Sequence, residues 1–148
     1  MSANDKNVKE EKILLDTHIL IWYAEGINLS TNQIGLIENT RKKKELYISA
    51  ISIWEITMLA NRSKLIFSID IHDWIKKLLS TLGLELIDLS VPILIQSCEL
   101  PNYPHRDPAD RMIIATSRIN NIALMTLDRK IIDYGKEGYF KLIDPEVI

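Results

Sequence analysis

Short apolar runs alternate with segments of helical periodicity along the chain, and this alternation limits the possible folds more than any other feature. The first run, Ile13-Leu14-Leu15, contains no polar residue, which is typical of a strand buried on both faces of a parallel sheet. Strands separated by helices indicate an α/β domain with a mostly parallel sheet. The predicted strands are 13–15, 46–48, 84–87 and 121–125, with an edge strand at 139–143, and the predicted helices are 17–24, 31–43, 50–62, 71–81, 91–98, 108–118 and a helical turn at 128–133.

The domain organisation predicted from the composition is a single domain over 13–148, preceded by a flexible polar leader over 1–12. The chain has 148 residues, of which 47% are hydrophobic, and this is enough for one packed core. Its only cysteine, Cys98, cannot form an internal disulfide, so a reducing cytoplasm is the expected location. No apolar run approaches the ~20 residues that a membrane span needs, so no membrane association is expected.

Several familiar kinds of site are excluded because their motifs are missing. The five glycines form neither a dinucleotide-binding fingerprint nor a phosphate-binding P-loop. One cysteine and three scattered histidines do not give the ligand spacing of a zinc site. The nucleophile elbow of serine hydrolases is missing too.

Acidic residues stand where the predicted strands end, and they are the strongest indication of chemistry. Asp16 follows the first strand directly, and Asp128 follows the fourth. Glu55 and Asp110 lie on helices that would start near the same edge of the sheet. Ligands of open α/β sheets bind beyond the carboxyl ends of the strands, so these four side chains are expected to converge on one crevice.

Each of these acids also has a purely structural interpretation. Asp16 could be a polar stop after a strand, and Asp128 could cap the following turn. Glu55 stands three residues after Ser52, which is the spacing of a capping box. Asp110 lies in the first turn of a helix, where the helix dipole favours an acid. The joint placement is more specific than any single member.

Crowded carboxylates suggest a divalent cation, because without one they repel each other and raise each other's pKa. Hard oxygen ligands suit Mg²⁺ or Mn²⁺. Such an ion can activate a water molecule and stabilise the charge that develops on a phosphodiester. The formal net charge of −2 argues against a surface coated with phosphate-binding cations, but it does not exclude nucleic acid.

Four segments together resemble the PIN domain family, and within it the VapC-like toxins of bacterial toxin–antitoxin pairs. They are LLDTHILIWY (14–23), SAISIWEITML (49–59), PHRDPADRMIIATS (104–117) and MTLD (125–128). The resemblance extends from about Ile13 to Ile143 and therefore covers nearly the whole chain. It implies a three-layer α/β/α fold and a Mg²⁺- or Mn²⁺-dependent endoribonuclease. It also implies a homodimer and a cognate antitoxin that covers the active site.

The resemblance assigns roles to particular residues of this chain. The catalytic and metal-binding positions of the family fall on Asp16, Glu55, Asp110 and Asp128. Asp107 and Thr126 are supporting positions. Asp107 matches an extra acid of one subgroup of the family, and because Pro108 follows it we interpret it first as a helix cap, with metal ligation as the alternative. Thr126 matches a hydroxyl residue that orients a ligand or water.

Further residues near the proposed crevice are weaker candidates for contacts with RNA. They are Arg111, His105, Arg106 and His18, with Arg111 alternatively forming a salt bridge inside the carboxylate cluster. The basic run 41–44 could follow an RNA backbone, although such a run is more often a solvated helix end. The three tryptophans are expected to lie in the core or a dimer interface, with stacking on bases as the alternative.

Other functions remain compatible with the same residues. One is a PIN-domain nuclease that matures RNA without an antitoxin. Another is a non-catalytic binding module for RNA or protein on the same fold, although such a module would not need four converging carboxylates. A DNA- or flap-cutting nuclease is less compatible with so short a chain.

Overall fold

The computed structural model describes residues 11–63, 67 and 69–148. Most of the predicted leader over 1–12 therefore lies outside the described residues. Every helix among the described residues is too short or too polar to span a membrane.

A five-stranded sheet in the order β3-β2-β1-β4-β5 forms the centre of the molecule, and every neighbouring pair is parallel. Its strands are β1 (Ile13–Leu15), β2 (Leu46–Ser49), β3 (Leu84–Ile87), β4 (Ala123–Met125) and β5 (Leu142–Ile143). The predicted strands are thus all present. The fourth begins two residues later than predicted, because Asn121 has a left-handed φ of 54° and caps the preceding helix.

The helices of the described part follow the predicted order. They are α1 (Thr17–Glu25), α2 (Thr31–Lys42), α3 (Ala50–Asn61), α4 (Ile71–Leu79), α5 (Val91–Cys98), α6 (Pro108–Asn120) and α7 (Arg129–Lys136), followed by a short 3₁₀ turn over Pro145–Val147. Side chains at the N-caps explain several of the starts. Ser30, for example, accepts from the backbone N–H of Gln33, whose side chain accepts from the N–H of Ser30.

Two apolar cores on opposite faces of the sheet establish the three-layer α/β/α arrangement. Successive residues of β1 point to opposite faces, so Leu14 joins one core while Ile13 and Leu15 join the other. The first core includes Ile93 of α5 and Ile113 of α6. The second includes residues of α1, α2 and α4. The fold class predicted from the sequence is therefore confirmed.

Helix α4 ends two residues earlier than the predicted 71–81, and Gly83 lies beyond its end. The helix ends at Leu79, with Ser80 as its C-cap. Gly83 has a φ of +86°, and a Cβ atom there would stand 2.2 Å from the Arg41 carbonyl oxygen. Glycine is needed for this close approach of two backbones.

The three tryptophans have different environments. Trp74 is buried in the second core, as expected, and Trp22 is half-buried against it. Trp54 is 54% exposed, so its predicted place in the core is wrong. Its alternatives, a dimer contact or a surface that stacks on bases, stay predictions.

Candidate active site

A cavity of about 410 Å³ is lined by acids from four segments of the chain. The strand order places β1 between β2 and β4, so the segments that follow these strands meet at one edge of the sheet. The lining residues are Asp16, His18, Trp22, Glu55, Asp107, Asp110, Leu127, Asp128 and Lys130. The four predicted acids are thus brought together, along with Asp107 and His18.

Asp16 is the most buried of these acids, with 8% of its surface exposed. It caps α1, because its Oδ1 accepts the backbone N–H of Thr17 at 2.8 Å. Its Oδ2 accepts the hydroxyl of Thr126 at 2.7 Å. Burial raises the pKa of Asp16, although these two hydrogen bonds favour the ionised form and act in the opposite direction.

Thr126 connects two of the acids through one hydroxyl group. It donates to Asp16 and accepts the backbone N–H of Asp128 at 3.0 Å. Asp128 in turn caps α7, since its Oδ1 accepts the N–H of Lys130 at 2.9 Å. The structural interpretation of Asp128 is therefore correct, and its carboxylate lines the cavity as well.

Glu55 is not part of a capping box, so that interpretation is wrong. Helix α3 begins earlier than this interpretation requires, because the Ser49 side chain accepts the N–H of Ile51 at 3.1 Å and serves as the N-cap. Ser52 is buried, and its hydroxyl forms a 2.8 Å hydrogen bond with that of Thr17. This bond joins α3 to α1 one turn before Glu55, whose side chain lines the cavity.

Asp107 and Asp110 open helix α6. Asp107 is the N-cap, as expected, and its Oδ1 accepts the N–H of Asp110 at 3.0 Å, with Pro108 at the first helical position. Both side chains line the cavity. Asp107 thus combines a helix cap with a place among the converging carboxylates.

The ionisation of Asp110 is strongly affected by the site. Burial raises its pKa to about 7, and the negative charges of the other four cavity acids act in the same direction, that of Asp107 most strongly. A carboxyl group in this state is stabilised in its ionised form by any cation that enters the cavity. A raised carboxyl pKa among other acids is a property that a bound divalent cation would reverse.

Arg111 does not form the salt bridge that was its structural alternative. Its guanidinium group donates to three backbone carbonyls, those of His105, Ser97 and Tyr103, at 2.7, 3.0 and 2.8 Å. The side chain therefore ties down the segment between α5 and α6, and it is absent from the cavity lining. Its predicted contact with phosphate receives no support from this geometry.

The remaining predicted substrate contacts separate into two groups. His18 lines the cavity beside Trp22, with 6.1 Å between the ring centroids. His105 packs edge-on against the ring of Tyr103, and neither it nor the exposed Arg106 is among the lining residues. Arg41, from the basic run, is paired with Glu38 at 2.8 Å, which is a structural role.

Sequence reasoning did not place three of the lining residues in the cavity: Trp22, Leu127 and Lys130. Trp22 stands four residues after His18 on α1, and this helical spacing could have indicated that the two share a face. Lys130 stands two residues after Asp128, and that spacing alone does not tell where a flexible lysine points.

The donor set fits a hard divalent cation rather than a softer metal, since carboxylate oxygens dominate the cavity. Within the described part of the chain, no three acidic, histidine or cysteine side chains are grouped as direct ligands of one ion. Mg²⁺ typically keeps several waters and uses one or two protein carboxylates. The fit is therefore to a largely hydrated ion.

Comparison with known proteins places these observations in a family. The PIN domain model matches residues 13–137 of the chain. Ribonuclease VapC22 of Mycobacterium tuberculosis is 30% identical over 120 residues, which make up 80% of this chain and 88% of that protein.

Solved structures share the same architecture. VapBC2 from Rickettsia felis, bound to a DNA fragment from its promoter, aligns with a TM-score of 0.65 and 20% identity, covering 88% of this chain and 96% of that chain. PAE2754 from Pyrobaculum aerophilum aligns with a TM-score of 0.61 and 18% identity, covering 93% of this chain and 91% of that chain. At these identities the likeness concerns the fold.

Proposed function

The chain belongs to the PIN domain family, and from that premise we propose that it is an endoribonuclease that acts as the toxin of a toxin–antitoxin pair. Its acidic cavity binds Mg²⁺ or Mn²⁺ and hydrolyses phosphodiester bonds of RNA. The similarity to a VapC ribonuclease supports the choice of RNA as substrate. The place of action that we propose is the cytoplasm.

The observation that carries this proposal is the convergence of five carboxylates on one cavity at the carboxyl end of the sheet. Five like charges in one partly buried site cost folding free energy, so their joint presence needs a reason. A divalent cation supplies that reason. A non-catalytic module on the same fold, which is the alternative function, gives no reason for the five converging carboxylates.

Asp16, Glu55, Asp110 and Asp128 are the residues that would hold the cation, one or two of them directly and the others through its waters. When bound, such an ion lowers the pKa of a water molecule and stabilises negative charge on the phosphate under attack. Asp16 is the member whose position is most strictly fixed, because both of its oxygens accept hydrogen bonds from the protein. Asp110, whose pKa is raised to about 7, would lose its proton on binding a cation.

The other residues of the site orient these acids. The Thr126 hydroxyl holds the Asp16 carboxylate and the backbone of Asp128 in a fixed relation. Asp107 fixes the start of α6 and hence the direction of Asp110. Positioning of this kind matters because small displacements of a reacting group cost large factors in rate.

We propose two protein partners, an antitoxin and a second copy of this chain in a homodimer. An apolar cavity of about 480 Å³, with Trp22 and Trp74 among its walls, adjoins the acidic cavity because both contain Trp22. A partner segment seated there would reach the acids. Exposed apolar side chains on α5, namely Val91, Leu94 and Ile95, are compatible with self-association.

The proposed toxin function is tested by expressing the chain in a bacterial host, alone or together with the reading frame next to its gene in the source genome. We expect growth arrest and new RNA 5′ ends with the chain alone, and growth with the neighbour present. An Asp16→Asn chain at the same protein level is the inactive control. Unimpaired growth and unchanged RNA ends at full expression would contradict the proposal. Arrest that the neighbour does not relieve would favour an RNA-processing nuclease without an antitoxin.

A further inference from the structure

Lys130 is the only lysine or arginine in the described part of the chain that lines the acidic cavity. It lies in the first turn of α7, two residues after Asp128. The other charged lining residues are the five carboxylates, apart from any charge on His18. A single lysine ammonium group thus stands among carboxylates that the proposed function assigns to a metal ion.

The ammonium group of Lys130 has no ion-pair partner among the residues that the structure describes. Its neighbour Arg129 differs in this respect, since its guanidinium group lies 3.6 Å from a carboxylate oxygen of Glu146. The backbone of Lys130 is fixed, because its N–H donates to Asp128 Oδ1 at 2.9 Å. The side chain therefore starts from a fixed backbone position next to a cavity acid. Its positive charge is not neutralised by an ion pair within the described residues, so it is available to a bound anion.

An RNA strand that enters this cavity meets a strong electrostatic obstacle. Each phosphate carries a negative charge, and five carboxylates stand nearby. A divalent cation offsets this repulsion at the phosphate under attack, but the neighbouring phosphates still lie close to the acids. A lysine at the cavity wall suits such a phosphate, because its ammonium is a flexible point charge with three donors.

Resting on the proposed ribonuclease function, we propose that Lys130 binds a phosphate of the RNA strand adjacent to the one under attack. This contact holds the RNA strand so that the phosphate under attack lies next to the acids. Its contribution is to the binding of substrate, so its removal raises KM much more than it lowers kcat. A rival role, relief of repulsion among the acids in the free protein, would show as a loss of stability instead.

The first test is steady-state cleavage of a labelled single-stranded RNA in Mg²⁺ or Mn²⁺. We expect Lys130→Ala to raise KM about 5–20-fold, with kcat changed by less than about 2-fold. Lys130→Arg keeps the charge and is expected to keep most of the affinity. Arg129→Ala removes a neighbouring charge that points elsewhere and is the matched control.

The second test measures RNA binding directly, on the Asp16→Asn background, as fluorescence anisotropy over a series of salt concentrations. One phosphate contact fewer is expected to reduce the slope of log K against log salt by about 0.7. An unchanged KM and slope in Lys130→Ala would overturn the proposal, as would a lowered melting temperature with unchanged KM. If the wild-type protein does not cleave RNA at all, the proposed function fails first, and this inference fails with it.

Discussion

Asp16→Asn is expected to reduce RNA cleavage by about 100-fold or more while the fold stays intact. Asparagine has the same shape, and its Oδ1 can still accept the N–H of Thr17. The substitution removes the negative charge at the most buried acid of the cavity. The melting temperature without divalent ions should change little, because removal of a charge that burial disfavours offsets the loss of the acceptor for the Thr126 hydroxyl.

The matched control for this experiment is Asp133→Asn, which makes the same chemical change at an exposed position of α7. Its cleavage rate should equal that of the wild type within about 2-fold, as is usual for surface changes. An Asp16→Asn protein with near wild-type turnover would mean that Asp16 is only the cap of α1.

Asp110→Asn is expected to stabilise the protein at pH 8 in the absence of divalent ions, while abolishing cleavage. The pKa of Asp110 is raised from 3.8 to about 7, so the folded state retains a proton that the unfolded chain has already lost. This contribution to stability is complete below pH 3.8 and is lost as the pH rises towards 7. The expected gain at pH 8 is about 1–2 kcal/mol, after allowance for partial exposure, or about 3–6 °C in melting temperature.

The measurement is the melting temperature of both proteins in EDTA at pH 4 and at pH 8, with the gain present only at the higher pH. Asp107→Ser supplies a control, since serine also caps a helix while removing the neighbouring charge that raises the pKa of Asp110 most. The melting temperature of Asp107→Ser should fall less between pH 4 and pH 8 than that of the wild type. If the melting temperatures of wild type and Asp110→Asn differ by the same amount at both pH values, the pKa of the Asp110 carboxyl group is not raised.

The positions that follow strands could be predicted from the sequence because they depend on local signals. Ile13-Leu14-Leu15 is a buried strand by composition alone, and the residue after it must stand at the carboxyl edge of the sheet. The same reasoning located Asp128 after β4. Asp107 could be identified as a cap because proline follows it directly.

The roles of long side chains could not be predicted, because they depend on contacts between distant segments. Arg111 binds carbonyls of residues 97, 103 and 105, which only the folded path of that segment brings within reach. Trp54 has a core-like sequence neighbourhood, yet it lies on the outer face of α3. Glu55 fitted a capping box because the spacing is right, but the helix starts one turn earlier, at Ser49.

The central claim is that the converging acids form a divalent-cation site that cleaves RNA. The most direct test is the cleavage rate of a single-stranded RNA by the purified protein, first in excess EDTA and then after restoring Mg²⁺ or Mn²⁺. We predict no cleavage above background in EDTA and full recovery when the ion is returned. Undiminished cleavage in excess EDTA would contradict the claim.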